Sequence, residues 1–193
     1  MDTKLNYWQQ IRQAADKASA VTSALSRLMA NVNGPRPCKR RLLMSVAQSI
    51  MLYGGEIWVD ALKKKTYRRR LAAVQQKGSL RIACSFRTVS EPAIIVIAGV
   101  LPIDLMAQAK KLVFERTPEV GKHIAKAEAR ALSLEKWQQR WDSDHRGRWT
   151  ARLIPQLNTW LDRTHGETSY YLTEYLSGHG DISSPRRCDA VFH

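Results

Sequence analysis

The chain has 193 residues, 44% of them hydrophobic and 25% charged, with a formal net charge of +14 at pH 7. These proportions argue against a chain that is disordered throughout, and the length allows one domain with a full core or two small domains. The longest apolar run has nine residues, whereas about 20 are needed to span a bilayer, so no membrane partner is expected.

Apolar residues at steps of three or four predict three long helices at the start of the chain. The first covers residues 5–32 and ends at Asn33-Gly34-Pro35. The second has a kink or a close helix contact at Gly54-Gly55, because each glycine costs about 1 kcal/mol relative to alanine. The third covers residues 63–86, and the short loops indicate a three-helix bundle. The inward stripe of the second helix consists of Leu42, Val46, Ile50, Tyr53, Ile57 and Ala61.

These helices carry almost all of the excess positive charge. Residues 17–90 contain 15 lysines and arginines against two acidic residues, and so account for +13 of the total charge. Such a field attracts phosphate backbones, whose counterion release makes affinity depend on salt. We therefore expect a nucleic-acid partner, with a solubility surface as the alternative. Few aromatic residues are interleaved, which favours backbone contacts over base stacking. The predicted nucleic-acid-binding residues are Arg36, Lys39, Arg40, Arg41, Lys63, Lys64, Lys65, Arg68, Arg69, Arg70, Lys77, Arg81 and Arg87.

Further helices are predicted in the second half of the chain. Ser90 as N-cap and Pro92 in the first turn precede an apolar run that fits a strand or a buried helix, and we favour the helix. Thr117-Pro118 has the pattern of an N-cap followed by proline at the first helical position. The later helices are expected at about 101–116, 117–142, 149–160 and 168–176. The tail from Gly178 has no apolar stripe and is expected to be irregular, so the predicted fold class is all-α.

The basic half contains a single pair of acidic residues. Glu56 and Asp60, four residues apart, would share a helix face, and two-metal phosphoryl transfer needs carboxylates held close together. Asp60 and Lys64 also have the spacing of an ordinary ion pair, which is the interpretation that we prefer. A metal-dependent nuclease is therefore a weaker hypothesis, and no catalytic or metal-binding residue is predicted.

Two polar groups in the second half have an ordinary structural interpretation. Asp142, Asp144 and His145 could include a base–carboxylate pair, but no nucleophile or glycine-rich loop accompanies them, and a hydrated helix end is the interpretation that we prefer. His179 lies between two glycines, and we assign it no catalysis.

The cysteines and the amino terminus indicate an intracellular protein. Cys38, Cys84 and Cys188 are odd in number, widely separated and without a Cys-x-x-Cys pair, which fits a reducing compartment. The first residues lack the basic and then apolar pattern of a signal peptide.

Several short runs occur along the chain in a characteristic order. These are ALSRLMAN at 24–31, GP at 34–35, KRRLL at 39–43, LYG at 52–54, RTVS at 87–90, AGVLPI at 98–103, GRWT at 147–150, LIP at 153–155, Trp160, YLT at 171–173 and LSGHG at 176–180. In their order and spacing, rather than in any one run, they resemble the reverse transcriptases of arthropod non-LTR retrotransposons of the R1 type and related elements. The likeness extends from about Leu5 to Gly180.

The resemblance implies a three-part organisation. A basic, thumb-like helical bundle would cover residues 1–88, a helical linker region 89–177, and an irregular truncated tail 178–193. In such polymerases the thumb lies against the template–primer duplex, so nucleic acid and the missing palm domain would be the partners. The resemblance also implies a nuclear protein.

Two departures from the family imply a chain without polymerase activity. The family's palm carries an Asp-Asp motif, and no adjacent aspartate pair occurs here. The terminal zinc knuckle needs a second cysteine where Val191 lies, and Cys188 with His193 supplies two ligands whereas a structural zinc site takes four. No cofactor is expected in this chain, since Mg²⁺ would bind the missing palm. The expected function is a non-catalytic carboxy-terminal fragment that binds template–primer nucleic acid, and the alternative is a stand-alone nucleic-acid-binding protein derived from such an element.

Overall fold

The computed structural model describes residues 7–31, 34–164 and 167–179, and within these ranges it contains ten α-helices and one 3₁₀ helix but no β-strand. The predicted all-α class is confirmed. Of the predicted irregular tail, only Gly178 and His179 lie within the described residues. The elements are α1 (Trp8–Ser26), α2 (Pro37–Met51), α3 (Gly55–Trp58), the 3₁₀ helix (Val59–Lys63), α4 (Lys65–Ile82), α5 (Glu91–Ala98), α6 (Ile103–Val120), α7 (Lys122–Ser143), α8 (Arg148–Leu153), α9 (Leu157–Leu161) and α10 (Tyr170–Ser177).

The first, second and fourth helices pack against one another as the predicted three-helix bundle. The predicted inward stripe of the second helix is wrong, because Leu42 and Val46 of α2 are exposed, and so are Tyr53 and Ile57 beyond the end of that helix. Met44, Ala47 and Met51 are buried instead. Both sets follow the helical period, so the pattern alone could not decide which of the two apolar faces packs inward.

Two predicted helix ends lie elsewhere in the structure. The first helix ends at Ser26 rather than at residue 32, and the predicted kink in the second is a complete break, where Gly54 adopts φ 63°. No new helix begins at Thr117-Pro118, because α6 continues to Val120. Proline lies there in the last turn, where the loss of one backbone hydrogen bond is tolerated. The chain turns instead at Gly121, with φ 82°.

The short helix α5 is the centre of the larger hydrophobic core. Six of its eight residues are buried, which confirms the prediction of a buried helix over the longest apolar run. Met44 and Ile82 of the bundle pack in this core together with Trp137 and Trp141 of α7. A second core joins α1, α2 and α4 to Ile103 of α6. Each core draws residues from both sides of residue 88, and the division of the chain at that point stays a prediction.

Candidate nucleic-acid interface

The basic side chains of α4 point in more than one direction. Leu71 and Val74 are buried in the bundle, which fixes the rotation of the helix. On another side of the same helix, Lys65, Arg68 and Arg69 line an open groove with a volume of about 810 Å³. The first turn of α4 contains no acidic residue. Sequence spacing and helix packing therefore place three of the thirteen predicted residues along one groove.

The second wall of the groove comes from the half of the chain that has almost no net charge. Trp137, Arg140 and Trp141 of α7 line it, followed by His145 and Arg146 in the loop after that helix. The two tryptophans are buried, and Nε1 of Trp141 donates to the carbonyl oxygen of Ile154 at 2.9 Å. Their rings are thus committed to the core, so the groove offers polar and charged groups rather than open aromatic faces.

The acidic residues of the groove are paired with arginines from the same wall. Arg140 Nη1 lies 2.8 Å from an oxygen of Asp104, whose side chain is buried. Arg146 lies 3.0 Å from Asp144 and 3.8 Å from Glu91. A hydrogen bond from Arg146 is the main reason that the pKa of Asp144 is lowered below its ordinary value. These three carboxylates are therefore partnered within the groove, which leaves the α4 cations as its uncompensated charge.

Lys65, Arg68 and Arg69 make no ion pair with the residues that the structure describes. Lys65 and Arg69 are exposed and Arg68 is partly so. Lysine offers a mobile point charge, and the arginine fork can bind two phosphate oxygens at once. The groove thus presents the donor set that a phosphate backbone requires.

The basic lining continues into an adjoining cavity of about 430 Å³. Arg68 and Arg140 line both spaces, and Lys63, Lys111 and Lys136 are added in the second. Lys63 and Lys111 share one acidic partner, Asp60, at 3.2 and 2.6 Å. Lys136 donates a hydrogen bond to Gln108 at 3.4 Å. The two cavities together form one basic surface between α4 and the α6–α7 pair, which we call the basic groove.

Arg70 faces away from the basic groove. Its Nη2 lies 2.5 Å from Oδ1 of Asp16, on α1, and it lines neither cavity. Both side chains are about half exposed, so this ion pair contributes little to stability. Three consecutive arginines in the sequence are therefore divided between two surfaces.

Arg40 is a structural residue, which corrects its assignment to the interface. It is 1% exposed and donates hydrogen bonds to the carbonyl oxygens of Pro35 at 2.6 Å and Arg81 at 3.0 Å. It also donates to the carbonyl oxygens of Met29 and Ala30. Because its charge is used to hold the loop between α1 and α2 onto α4, we leave it out of the proposed interface.

The other predicted residues do not line the larger cavity of the basic groove. Arg36, Lys39 and Arg41 lie at the start of α2, and Arg41 Nε donates to the carbonyl oxygen of Ala98 at 3.2 Å. Lys64 lies 5.3 Å from the ring centroid of Tyr67, a cation–π contact. The remaining three are Lys77 and Arg87, both exposed, and Arg81, which is partly buried.

The two carboxylates considered for metal chemistry, Glu56 and Asp60, form ion pairs with lysines. The spacing predicted an ion pair between Asp60 and Lys64, but Asp60 pairs with Lys63 and Lys111 instead. Glu56 lies 3.9 Å from Lys110. Hydrogen bonds from Lys111 first, and then from Lys63, lower the pKa of Asp60. Within the described ranges no group of three or more His, Cys, Asp or Glu side chains could hold a metal ion. Cys188 and His193 lie outside these ranges.

His179 joins the end of α10 to the loop that follows α4. Its Nε2 lies 2.8 Å from Oγ1 of Thr88, and its Nδ1 lies 3.2 Å from the carbonyl oxygen of Ser177. Asp144 lies at the end of α7, with His145 at 3.9 Å, as expected for a polar helix end.

In the described part of the chain, no single helix is long and apolar enough to cross a bilayer, although two bent helix pairs reach that length and composition together.

The α7 side of the groove was not predicted from the sequence. Residues 91–193 have 14 basic and 13 acidic residues, so their contribution to a basic surface is hidden in the net charge. The four-residue spacing of Lys136 and Arg140 on one predicted helix was the only available signal. The pairing of Arg140 with Asp104 depends on the packing of α6 against α7 and is not visible in the sequence.

Comparison with known proteins identifies relatives over nearly the whole chain. A retrovirus-related Pol polyprotein from type-1 retrotransposable element R1 of Nasonia vitripennis is 27% identical over 202 residues, covering 95% of this chain and 59% of that protein. A putative 115 kDa protein in element R1DM of Drosophila melanogaster is 28% identical, covering 93% of this chain and 19% of that protein. An R1 Pol polyprotein of Bradysia coprophila is 29% identical, covering 69% and 15%.

The chain thus spans at most about three fifths of the length of these relatives. No protein-family model and no solved structure matches it. The relatives agree with the resemblance read from the short runs between Leu5 and Gly180. Over most of its length, the chain is homologous to the Pol polyproteins of arthropod R1 non-LTR retrotransposons.

Proposed function

We propose that the chain is a non-catalytic part of an R1-type Pol protein that holds template–primer nucleic acid by its phosphates along the basic groove. The observation that carries this proposal is the row of Lys65, Arg68 and Arg69 on α4, which face an open groove without an acidic partner among the described residues. The relatives include a retrovirus-related Pol polyprotein of element R1, and the resemblance to reverse transcriptases implies a template–primer duplex as the partner.

The chemistry of the groove supports backbone contact rather than sequence readout. Its tryptophans are buried, so its lining donates from guanidinium and ammonium groups. Phosphate contacts position a protein on a duplex but carry no sequence information. We therefore expect similar affinity for unrelated sequences of the same nucleic-acid type.

The test is the affinity of the purified chain for an RNA–DNA hybrid, duplex DNA and single strands over a series of salt concentrations. Circular dichroism should first establish that the chain is helical. We expect affinity to fall steeply with salt, since each neutralised phosphate contributes a slope of roughly 0.9 for a duplex. A folded chain that binds none of these molecules at low salt would overturn the proposal.

The absence of polymerase activity is the second part of the proposal. Its support is that the sequence contains no adjacent aspartates, while Glu56 and Asp60 are paired with lysines. Two-metal phosphoryl transfer needs carboxylates available to the metals. The purified chain should not extend a primer on an RNA template in the presence of Mg²⁺. Mg²⁺-dependent extension by the wild-type chain that is lost in a Glu56→Gln or Asp60→Asn variant would contradict this part of the proposal.

The partner of the exposed face of α2 is the third part. Leu42 and Val46 lie one turn apart on α2 and are 71% and 49% exposed, and Tyr53 and Ile57, which follow the end of that helix, are 77% and 68% exposed. Contiguous exposed apolar residues mark interaction surfaces. Because the relatives are much longer than this chain, we propose that the palm region of the Pol protein packs on this apolar face.

A further inference from the structure

A separate cavity lies where the start of α2 meets the segment after α9. It has a volume of about 210 Å³ and shares no lining residue with the basic groove. Arg41 and Arg163 line it, together with Thr168 and one acidic residue, Glu167. Its charged lining is therefore two guanidinium groups against one carboxylate.

Neighbouring groups hold the two guanidiniums beside this cavity. Arg163 lies over the ring of Trp160, with Cζ 3.3 Å from the ring centroid, and donates to the carbonyl oxygen of that residue. Arg41 is held by its hydrogen bond to Ala98. Gly99 leaves room for it, since a Cβ there would lie 3.3 Å from Nη2 of Arg41. Burial, and then the charge of Arg41, lower the pKa of Arg163 to about 10. Two like charges that line one cavity and affect each other in this way would be stabilised by an anion between them.

The start of α2 adds backbone donors of the same kind. Pro37, the first residue of this 15-residue helix, lines the cavity. The first turn has no acidic residue, and no side chain caps it. The N–H groups of an uncapped first turn, together with the helix dipole, favour an anion.

An unpaired hydroxyl provides independent evidence for a ligand. Thr168 lines the cavity and is 2% exposed. Its buried Oγ1 has no hydrogen-bond partner among the described residues. Most buried polar side-chain atoms in proteins have a partner, so an orphaned hydroxyl on a residue that lines the same cavity as two arginines indicates an acceptor that the described residues do not supply.

We propose that this cavity binds a phosphate group, with the guanidiniums of Arg41 and Arg163 as charged donors and the Thr168 hydroxyl as a neutral donor. Phosphate suits this set because its oxygens accept several hydrogen bonds at once and match the arginine fork. The site stands on its own geometry and does not depend on the function proposed for the basic groove.

The test is calorimetric titration of inorganic phosphate into the full chain at constant ionic strength. Arg41→Gln and Thr168→Val should each weaken phosphate binding by about tenfold or more, as expected for the loss of a hydrogen bond to a charged group. Two matched control variants should change the affinity for phosphate by less than about twofold. Lys39→Gln removes an exposed cation from the same helix, and Thr173→Val removes another buried hydroxyl without a described partner that does not line the cavity.

The outcomes separate this site from the basic groove. If the wild-type chain takes up no phosphate, or if the controls weaken binding as much as the cavity variants, the proposal is overturned. Phosphate uptake that falls in Arg68→Gln with Arg69→Gln, but not in Arg41→Gln, would place the bound phosphate in the basic groove and overturn the proposal. Circular dichroism of each variant confirms that it is folded.

The source of the phosphate follows from competition. An oligonucleotide that displaces inorganic phosphate from the wild-type chain, but has a weaker effect in Arg41→Gln, would identify a nucleic-acid phosphate. A 5′-phosphorylated strand that competes better than the same strand with a 5′-hydroxyl would identify a strand end. Saturable phosphate uptake that no oligonucleotide displaces would identify free phosphate, and each of these results retains the site.

Discussion

Arg68 and Arg69 line the basic groove, whereas Arg70 contacts Asp16 on α1. Replacing Arg68 and Arg69 together by glutamine should weaken nucleic-acid binding and reduce the slope of log affinity against log salt by about two units, if each makes one phosphate contact. Arg70→Gln is the matched control, since it removes the same charge from the neighbouring position. An equal change of slope in the control would show that the groove is not the contact surface.

The buried guanidinium of Arg40 leads to a different expectation. Arg40→Met should lower the free energy of unfolding by on the order of 3 kcal/mol, because the buried carbonyl oxygen of Met29 and the partly buried ones of Pro35 and Arg81 lose their donor. Urea unfolding measures this loss, with Lys39→Gln as an exposed control on the same helix. Where the variant is folded, its salt slope for nucleic acid should equal that of the wild type. Unchanged stability with a lowered slope would return Arg40 to the interface.

At the scale of elements, the exposed apolar face of α2 predicts self-association of the isolated chain. Leu42→Gln with Val46→Gln should reduce this association, measured by light scattering, without loss of helical signal. Leu43 packs against the larger core, so Leu43→Gln should instead destabilise the fold. Association that persists in the first variant would place the contact elsewhere and weaken the case for a palm partner on this face.

Periodicity was enough to predict the helices and the bundle, because many of the apolar residues at helical spacing pack into one of the two hydrophobic cores. It could not select between the two apolar faces of α2, since Met44 and Leu42 each belong to a stripe of helical period. Periodicity also could not distinguish Arg68 from Arg70 or identify Arg140 as part of the groove. Which charges are paired depends on contacts between helices that are distant in the sequence. The basic character was evident in the sequence, but the groove was not.

At the scale of the whole molecule, α5 connects the bundle to the second half of the chain. Ile97 is fully buried in the core that contains Ile82 of α4 and Trp137 of α7. Ile97→Ala should therefore destabilise both halves together, by about 2–5 kcal/mol. Hydrogen exchange should become faster in α4 and in α7 to a similar extent, because the two helices share this core.

Ala127→Gly, on the exposed side of α7, is the control for local destabilisation. It should cost roughly 1 kcal/mol through helix propensity and increase exchange mainly within α7. If Ile97→Ala accelerated exchange in α7 while leaving α4 unchanged, the regions 1–88 and 89–177 would unfold independently. They would then be separate domains, and a substitution in one domain would not change the stability of the other. Equal acceleration in both would mean that the basic groove, whose walls come from α4 and α7, keeps its shape only while the two regions are folded together.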